Sequence, residues 1–462
     1  MTTSYVSITI NTKETFQEEK YLIKISHSLA RYWKITKEKI HYLCIGTVKV
    51  PIAIEFTHLQ KYELEMSELL LSEVFLPLKK IRLLSQYDPI TKTLYLGPTI
   101  GLMTEITVND EETPIFQSIH SYCEELQHLV AKYGGFFFVF SIQNISNEGI
   151  LGYFYDDNKW VEAKLPFPNV IYNRIHSRRL ERHSLTKEMI KKIYELNIPI
   201  FNKQFLSKWE VHELLFSEPT LHSFLPVTYP FSKENLQFLL NDYNEIYLKP
   251  IHGSQGKNIF RLIHKNDLLF IESSTNSSIK GISTFSNLNR FTEWFKRYSE
   301  KKEYILQEAI PLLKFSERPL DFRVLCHRTY QHDWRVTSII ARIAAPTQFV
   351  SNIAKGGEMI NAQKALNDLF QIENPHLVLK LMKELSLRIV TVISKDEKFG
   401  CIGELGIDIG VDEDGKLWII EVNSKPSKSF SPEDGKQLRP SARAIIEYST
   451  ALAFKYMRQI KG

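Results

Sequence analysis

Apolar and polar positions alternate in short runs along the first ninety residues. Tyr5-Val-Ser-Ile-Thr-Ile10 alternates strictly, and Ile40 to Phe56 is rich in valine and isoleucine. This is the period-two pattern of half-buried strands. Pro77 and Pro89 punctuate the later part, and the pattern predicts a β-rich module over residues 1–92. From Thr93 strand-like and helix-like stretches take turns. Leu94 to Met103 contains Gly97-Pro98, Ile115 to Tyr133 has helical spacing, Gly135 to Ile142 is a continuous apolar run, and Asn169 to Asn173 is a further short strand. That order predicts an α/β unit over 93–200.

The pattern changes again over 201–462, where a third domain is expected. Lys203 to Leu215 reads as a helix, and Asn244 to Pro250 as a strand. A glycine-containing loop follows, then a second strand over Asn258 to Ile263. Between Pro375 and Ile393, apolar residues at Val378, Leu381, Met382, Leu385, Ile389, Val392 and Ile393 recur at helical spacing, so one face of a long helix is buried. Ser441 to Ile460 reads as a closing helix. No internal repeat or low-complexity tract interrupts the chain.

Composition narrows the function classes. The chain has 462 residues, 43% hydrophobic and 24% charged, which is the balance of a globular protein rather than a disordered or fibrous one. The 58 Lys and Arg exceed the 53 Asp and Glu by five and are spread along the chain. That suits small anions in a cleft and gives no reason to expect nucleic acid. Cys44, Cys123, Cys326 and Cys401 form no CxxC pair, as expected of reduced thiols in the cytoplasm. No basic region followed by an apolar core opens the chain, and Phe136 to Phe140 is too brief to span a bilayer, so neither a leader nor a membrane partner is expected.

The strongest chemical signal is Gly403-Glu-Leu-Gly-Ile-Asp408-Ile-Gly-Val411 followed by Lys416-Leu-Trp-Ile-Ile-Glu421-Val-Asn423. Two β-prone runs flank Asp414-Gly415, a favoured two-residue hairpin turn. With that turn, Asp408 lies opposite Glu421 and Gly406 opposite Asn423. The other face then pairs Val411 with Trp418, Ile409 with Ile420, and Ile407 with Val422. Like charges across a ladder repel, so the acidic face calls for a cation. Oxygen-only ligands indicate Mg²⁺ or Mn²⁺ rather than zinc.

A second group is Lys249-Pro-Ile-His-Gly253-Ser254-Gln255-Gly256-Lys257. Glycines allow backbone amides close to a phosphate, and a strand-end lysine adds charge. Neither a P-loop nor a dinucleotide fingerprint is present. A strand edge at Gln307-Glu308 suits reading an adenine through backbone groups. Arg323, within Asp321-Phe-Arg323-Val, and Arg342 suit clamping phosphate or carboxylate. Asn352 to Gly357 follows, while the basic run Arg174 to Arg179 is expected to be a solvated face. His252, His327 and His332 lie at no ligand spacing.

In this order along the chain, these motifs resemble the ATP-grasp superfamily over residues 200 to 455. Tyr172-Asn-Arg-Ile-His-Ser-Arg178, Lys208-Trp-Glu-Val-His-Glu-Leu-Leu215 and Asp321-Phe-Arg-Val resemble, more narrowly, the YheC/YheD-like family of endospore coat-associated proteins. The resemblance implies an α+β ATP-grasp fold of two subdomains gripping ATP, preceded by an α/β pre-ATP-grasp unit and the β-rich module. It implies that Lys208 and Lys249 contact ATP phosphates, that Gly253 to Lys257 form a lid, and that Gln307 and Glu308 form the adenine hinge. Arg323 and Arg342 would face phosphate or substrate. Asp408, Glu421 and Asn423 would hold Mg²⁺, with Glu421 bridging two ions.

Two positions depart from the pattern. D-alanine ligase relatives place an arginine two residues before the metal aspartate, where this chain has Gly406, so that donor comes from elsewhere, Arg342 being one candidate, or is missing. The acid expected after the hinge for ribose is replaced by Ile310-Pro-Leu-Leu-Lys314. The implied activity is ligation of a carboxylate to an amine or thiol through an acylphosphate, on an unidentified small molecule or peptide. An ATP-binding assembly protein among spore-coat proteins, and a kinase, are the alternatives.

Overall fold

The computed structural model describes the chain except residues 1–5, 14–20, 36–39, 148, 254–255, 276–283, 300–301, 347–348, 350–355, 370–374, 429–437 and 460–462. Ser254, Gln255, Asn352 and Lys355 therefore lie outside the described residues.

Seven strands close into a barrel at the N-terminal end. The alternation read at Ile8 and Ile10 puts both in the core, and Ile23 and Ile25, Leu43 and Ile45, and Leu64 and Met66 point into it in the same way. Ser26 and Ser67 start two short helices by accepting hydrogen bonds from the amides of Leu29 and Leu70, as N-cap serines do. The strand Thr93–Gly97 pairs with His41–Ile45 and with Ile81–Asp88. The inward alternation continues through Leu94 and Leu96, so this strand, which lies past residue 92, is part of the barrel.

A six-stranded sheet follows, ordered Lys159–Leu165, Ile150–Asp156, Phe136–Ile145, Thr99–Met103, Val170–Asn173 and Ile200–Phe201. Its last four strands are mutually parallel. Helices His120–Tyr133 and Pro440–Gln459 pack together and bury one core that includes Tyr122, Leu126, Ile445 and Tyr448. The C-terminal helix thus returns to cover a sheet formed three hundred residues earlier.

Two further sheets face the site. One joins Thr228–Pro230, Tyr304–Glu308, Glu245–Pro250 and Phe260–Lys265 with two outer strands, under helices Lys233–Asp242 and Leu288–Ser299. The other is ordered Glu358–Asn361, Trp334–Ile343, Arg318–Arg328, Glu404–Val411 and Leu417–Asn423. Helix Pro375–Lys395 covers it, burying Val378, Met382, Leu385, Ile389 and Ile393. Leu381 is instead exposed, so the apolar stripe is narrower than its spacing suggests. The helix expected over Lys203 to Leu215 begins only at Lys208, where Ser207 caps it by accepting from the Glu210 amide.

Candidate functional site

The acidic hairpin keeps its expected central pairs by an unexpected route. Gly406 lies opposite Asn423, Ile407 opposite Val422 and Asp408 opposite Glu421. Nearer the turn the register slips by one, pairing Ile409 with Ile419, Gly410 with Trp418 and Val411 with Leu417. The predicted pairs Ile409–Ile420 and Val411–Trp418 are therefore not formed. The turn is longer than two residues: Asp412 N donates to Lys416 O. The Asp412 carboxylate accepts from the Asp414 and Lys416 amides and from Trp418 Nε1. Gly415 takes φ 80°, a left-handed position that glycine occupies without strain. The slip between Asp408 and Ile409 is the bulge that reconciles this longer loop with the register beyond it.

A row of alternating charge crosses this face. Arg342 donates to Asp321 at 2.6 and 2.7 Å and reaches Asp408 Oδ2 at 3.0 Å. Arg323 lies opposite Asp408 in the ladder and grips both its oxygens. Asn423 Nδ2 stands 3.5 Å from the same carboxylate. Glu421 accepts from Lys208. Burial would raise the Asp408 carboxyl, but Arg323 and Arg342 outweigh it and hold it below the ordinary range. The same two aspartates keep Arg342 charged against its burial.

Lys208 and Lys249 meet across the gap between the two sheets. With Gln307, Thr228, Glu421, Val211 and Leu215 they line a narrow cleft. Lys249 donates to Gln307 Oε1 at 2.5 Å, and Gln307 donates to Thr228 at 3.0 Å. Burial, then the neighbouring Lys208, push the Lys249 ammonium down to about 8, although Glu421, Asp408 and Asp321 pull the other way.

The remaining expected residues divide. Gly253 donates its amide to Pro250 O, and Gly256 O accepts from Ser274, so both described ends of the loop are anchored. Lys257 is exposed. Glu308 does not turn its side chain into the cleft: it accepts from Val227 N at 2.9 Å, and its amide donates to Val227 O. Along Ile310 to Lys314, Leu313 N donates to Val411 O, so this stretch runs beside the hairpin. Asp321, quoted above only as part of the Arg323 motif, was given no role of its own, although its position two residues before Arg323 places both on one face of a strand.

The groups at the hairpin's open end were likewise given no role. Fully buried Glu404 accepts from Tyr172, from Arg174 at 3.0 Å and from Lys428 at 2.5 Å, and His327 Nε2 lies 3.3 Å away. Lys425 donates to Glu181 at 2.5 Å and to Asn173 and Ile175. The run at Arg174 is thus no solvated face at its first residue. Arg178 stacks over Phe205 and donates to Leu206 O, while Arg179 is exposed. All four cysteines are unpaired. Among the described residues no helix is long and apolar enough to cross a membrane.

Two carboxylates and an amide make an oxygen-only set. Among the described residues no third acid, histidine or cysteine completes a metal cluster. The Lys208 ammonium on Glu421 already occupies a cation-seeking position. Such a set suits a hard dication that keeps open positions for phosphate oxygens.

Comparison with known proteins identifies the family. Two proteins of Bacillus subtilis (strain 168) are similar. Endospore coat-associated protein YheD is 28% identical over 402 residues, covering 86% of each chain. Endospore coat-associated protein YheC is 24% identical over 287 residues, covering 60% of this chain and 77% of that one. Among solved structures, the D-alanine-D-alanine ligase from Coxiella burnetii overlays with a TM-score of 0.46 at 12% identity, covering 79% of this chain and 97% of the other. A family model described as YheC/D-like ATP-grasp matches residues 197–452, the stretch that contains both facing sheets and the acidic hairpin. The chain belongs to the YheC/D-like ATP-grasp family.

Proposed function

We propose that the protein is an ATP- and Mg²⁺-dependent ligase that joins a carboxylate to an amine or thiol through an acylphosphate. The observation that carries this reading is the Asp408–Glu421 pair, set on one face and opposed by Lys208 and Lys249 across the cleft. Lys208 and Lys249 would bind the ATP phosphates, and the strand edge at Gln307 and Glu308 would border the base. Arg323 and Arg342 would orient the transferred phosphoryl group and the carboxylate, since a guanidinium offers a fixed fork of donors. Asp408, Glu421 and Asn423 would hold Mg²⁺ or Mn²⁺, two ions in the fullest arrangement, which supplies charge neutralisation for the phosphates. Catalysis of this kind rests on positioning and electrostatics rather than on a side-chain nucleophile. The barrel, the parallel sheet and the two-sheet grip would act as three domains. The relatives' names motivate a place in endospore coat formation.

One observation favours a second reading, an ATP-binding assembly protein with little turnover. Both oxygens of Asp408 are already held by arginines, so a metal ion would have to displace or share them. A phosphate-release screen decides between the two. Purified protein is incubated with ATP, Mg²⁺ and pooled amino acids, peptides and cell-wall precursors, and products are read by mass spectrometry. Ligation predicts phosphate release together with a new amide or thioester. ATP binding without ADP formation across the pools selects the assembly role.

A further inference from the structure

The closed and open ends of the acidic hairpin follow different registers, and only the open-end register gathers the acids. Continued from the turn, the pairing Ile409–Ile419 would set Asp408 against Ile420 and Glu421 against Ile407. Ile407 faces the apolar core. A one-residue slip moves every side chain of a strand to the other face, so the turn's own register would direct Glu421 away from Asp408.

Side chains from outside the hairpin grip its open end. Asn202, 1% exposed, follows the strand Ile200–Phe201 of the parallel sheet. Its Oδ1 accepts from Gly403 N at 2.9 Å and from Glu404 N at 3.2 Å. Its Nδ2 donates to Glu404 O at 2.8 Å and to Ser424 O. All four hydrogen-bonding positions of the carboxamide are thus spent on main chain, at the entry of one hairpin strand and the exit of the other. Its own amide donates to Cys401 O at 2.9 Å. Asn202 has φ 54°, a conformation that asparagine tolerates better than most residues. Beside it, Arg174 donates to Pro426 O at 3.0 Å and to Glu404, so a second side chain from the same sheet holds both ends.

We propose that Asn202 is a positioning residue for the Asp408–Glu421 pair. By tying Gly403 and Glu404 to Ser424 it fixes the open-end register, and the bulge before Ile409 absorbs the mismatch with the turn. The inference rests on the reading that these acids hold a divalent cation beside nucleotide phosphates. It adds that the parallel sheet, through one carboxamide, sets the geometry of that site.

The test is calorimetric titration of ADP into the full chain, in EDTA and in excess Mg²⁺. It compares wild type with Asn202→Gly, which keeps the left-handed backbone, and Asn202→Asp, which keeps the acceptors and loses both donors. Metal-free ADP affinity should stay within about twofold of wild type, while the gain on adding Mg²⁺ falls by ~10- to 100-fold, the usual cost of losing a residue that orients metal ligands. If Asn202→Gly does not fold, Asn202→Asp decides. A gain retained in the folded variants overturns the inference, and so does an equal loss with and without metal, which marks a general structural role. A wild type showing no Mg²⁺-linked gain overturns the metal reading beneath it, and the inference with it.

Discussion

Arg323 lies directly across the ladder from Asp408, and its side chain runs over Gly406, two residues earlier on the same face. A Cβ at position 406 would stand 2.8 Å from Pro426 Cβ and 3.3 Å from Arg323 Cδ. The arginine that D-alanine ligase relatives carry at this position therefore has no room here, and a guanidinium reaches the same face from the neighbouring strand. Gly406→Ala should destabilise the protein by roughly 1–3 kcal/mol through overpacking, read as a lowered denaturation midpoint. An unchanged midpoint would show that the space is available.

Arg323→Met removes one of the two cations on a buried carboxylate. Because Arg342 remains, the expected cost is about 3 kcal/mol, the lower end for breaking a buried pair. The sign with pH follows from the depressed Asp408 carboxyl. Its stabilisation is present above the unfolded aspartate range and is lost as pH falls through the folded value. Wild type and variant should thus converge in strong acid. Denaturation midpoints across pH 2–7 check this, and a constant gap would contradict it.

Lys249 gives a different pH signature. Its ammonium sits at about 8 in the folded chain, and only the charged form attracts phosphate. Nucleotide affinity should therefore fall as pH rises from 7 to 9, approaching tenfold per pH unit above the pKa of a single titrating group. In Lys249→Met, affinity should be low throughout and this dependence absent. Fluorescence titration of a labelled ADP across that range measures it.

Glu404→Gln would leave Arg174 and Lys428 buried without a counter-ion. A loss of ~3–5 kcal/mol is expected, larger than for any exposed pair such as Lys191–Glu195, where about 0–1 kcal/mol is at stake. Urea midpoints of Glu404→Gln and Glu195→Gln compare the two directly, and equal shifts would contradict the ranking.

The barrel strands were legible because alternation is a local signal, and the long helix because its apolar spacing is. The hairpin shows where local signals end. Asp414-Gly415 reads as a two-residue turn, yet the Asp412 carboxylate gathers three donors and lengthens the loop. The Asp408–Glu421 pairing was foreseen only because a bulge restores the register. Asn202, Arg174 and Glu404 could be given no role from sequence, since the Arg174–Glu404 and Asn202–Glu404 contacts join residues more than two hundred positions apart. Arg323 and Arg342 were picked out as clamps for phosphate or carboxylate, and the carboxylates they grip here are those of Asp408 and Asp321.

The proposed function requires the two acids that meet across the bulged hairpin to hold a metal ion against nucleotide phosphates. A crystal structure with ADP and Mn²⁺ tests it most directly, through the anomalous signal of the metal. A peak is expected between the Asp408 and Glu421 carboxylates, with Lys208 drawn off Glu421 toward phosphate. Bound ADP with no peak there, and Lys208 still on Glu421, would contradict it.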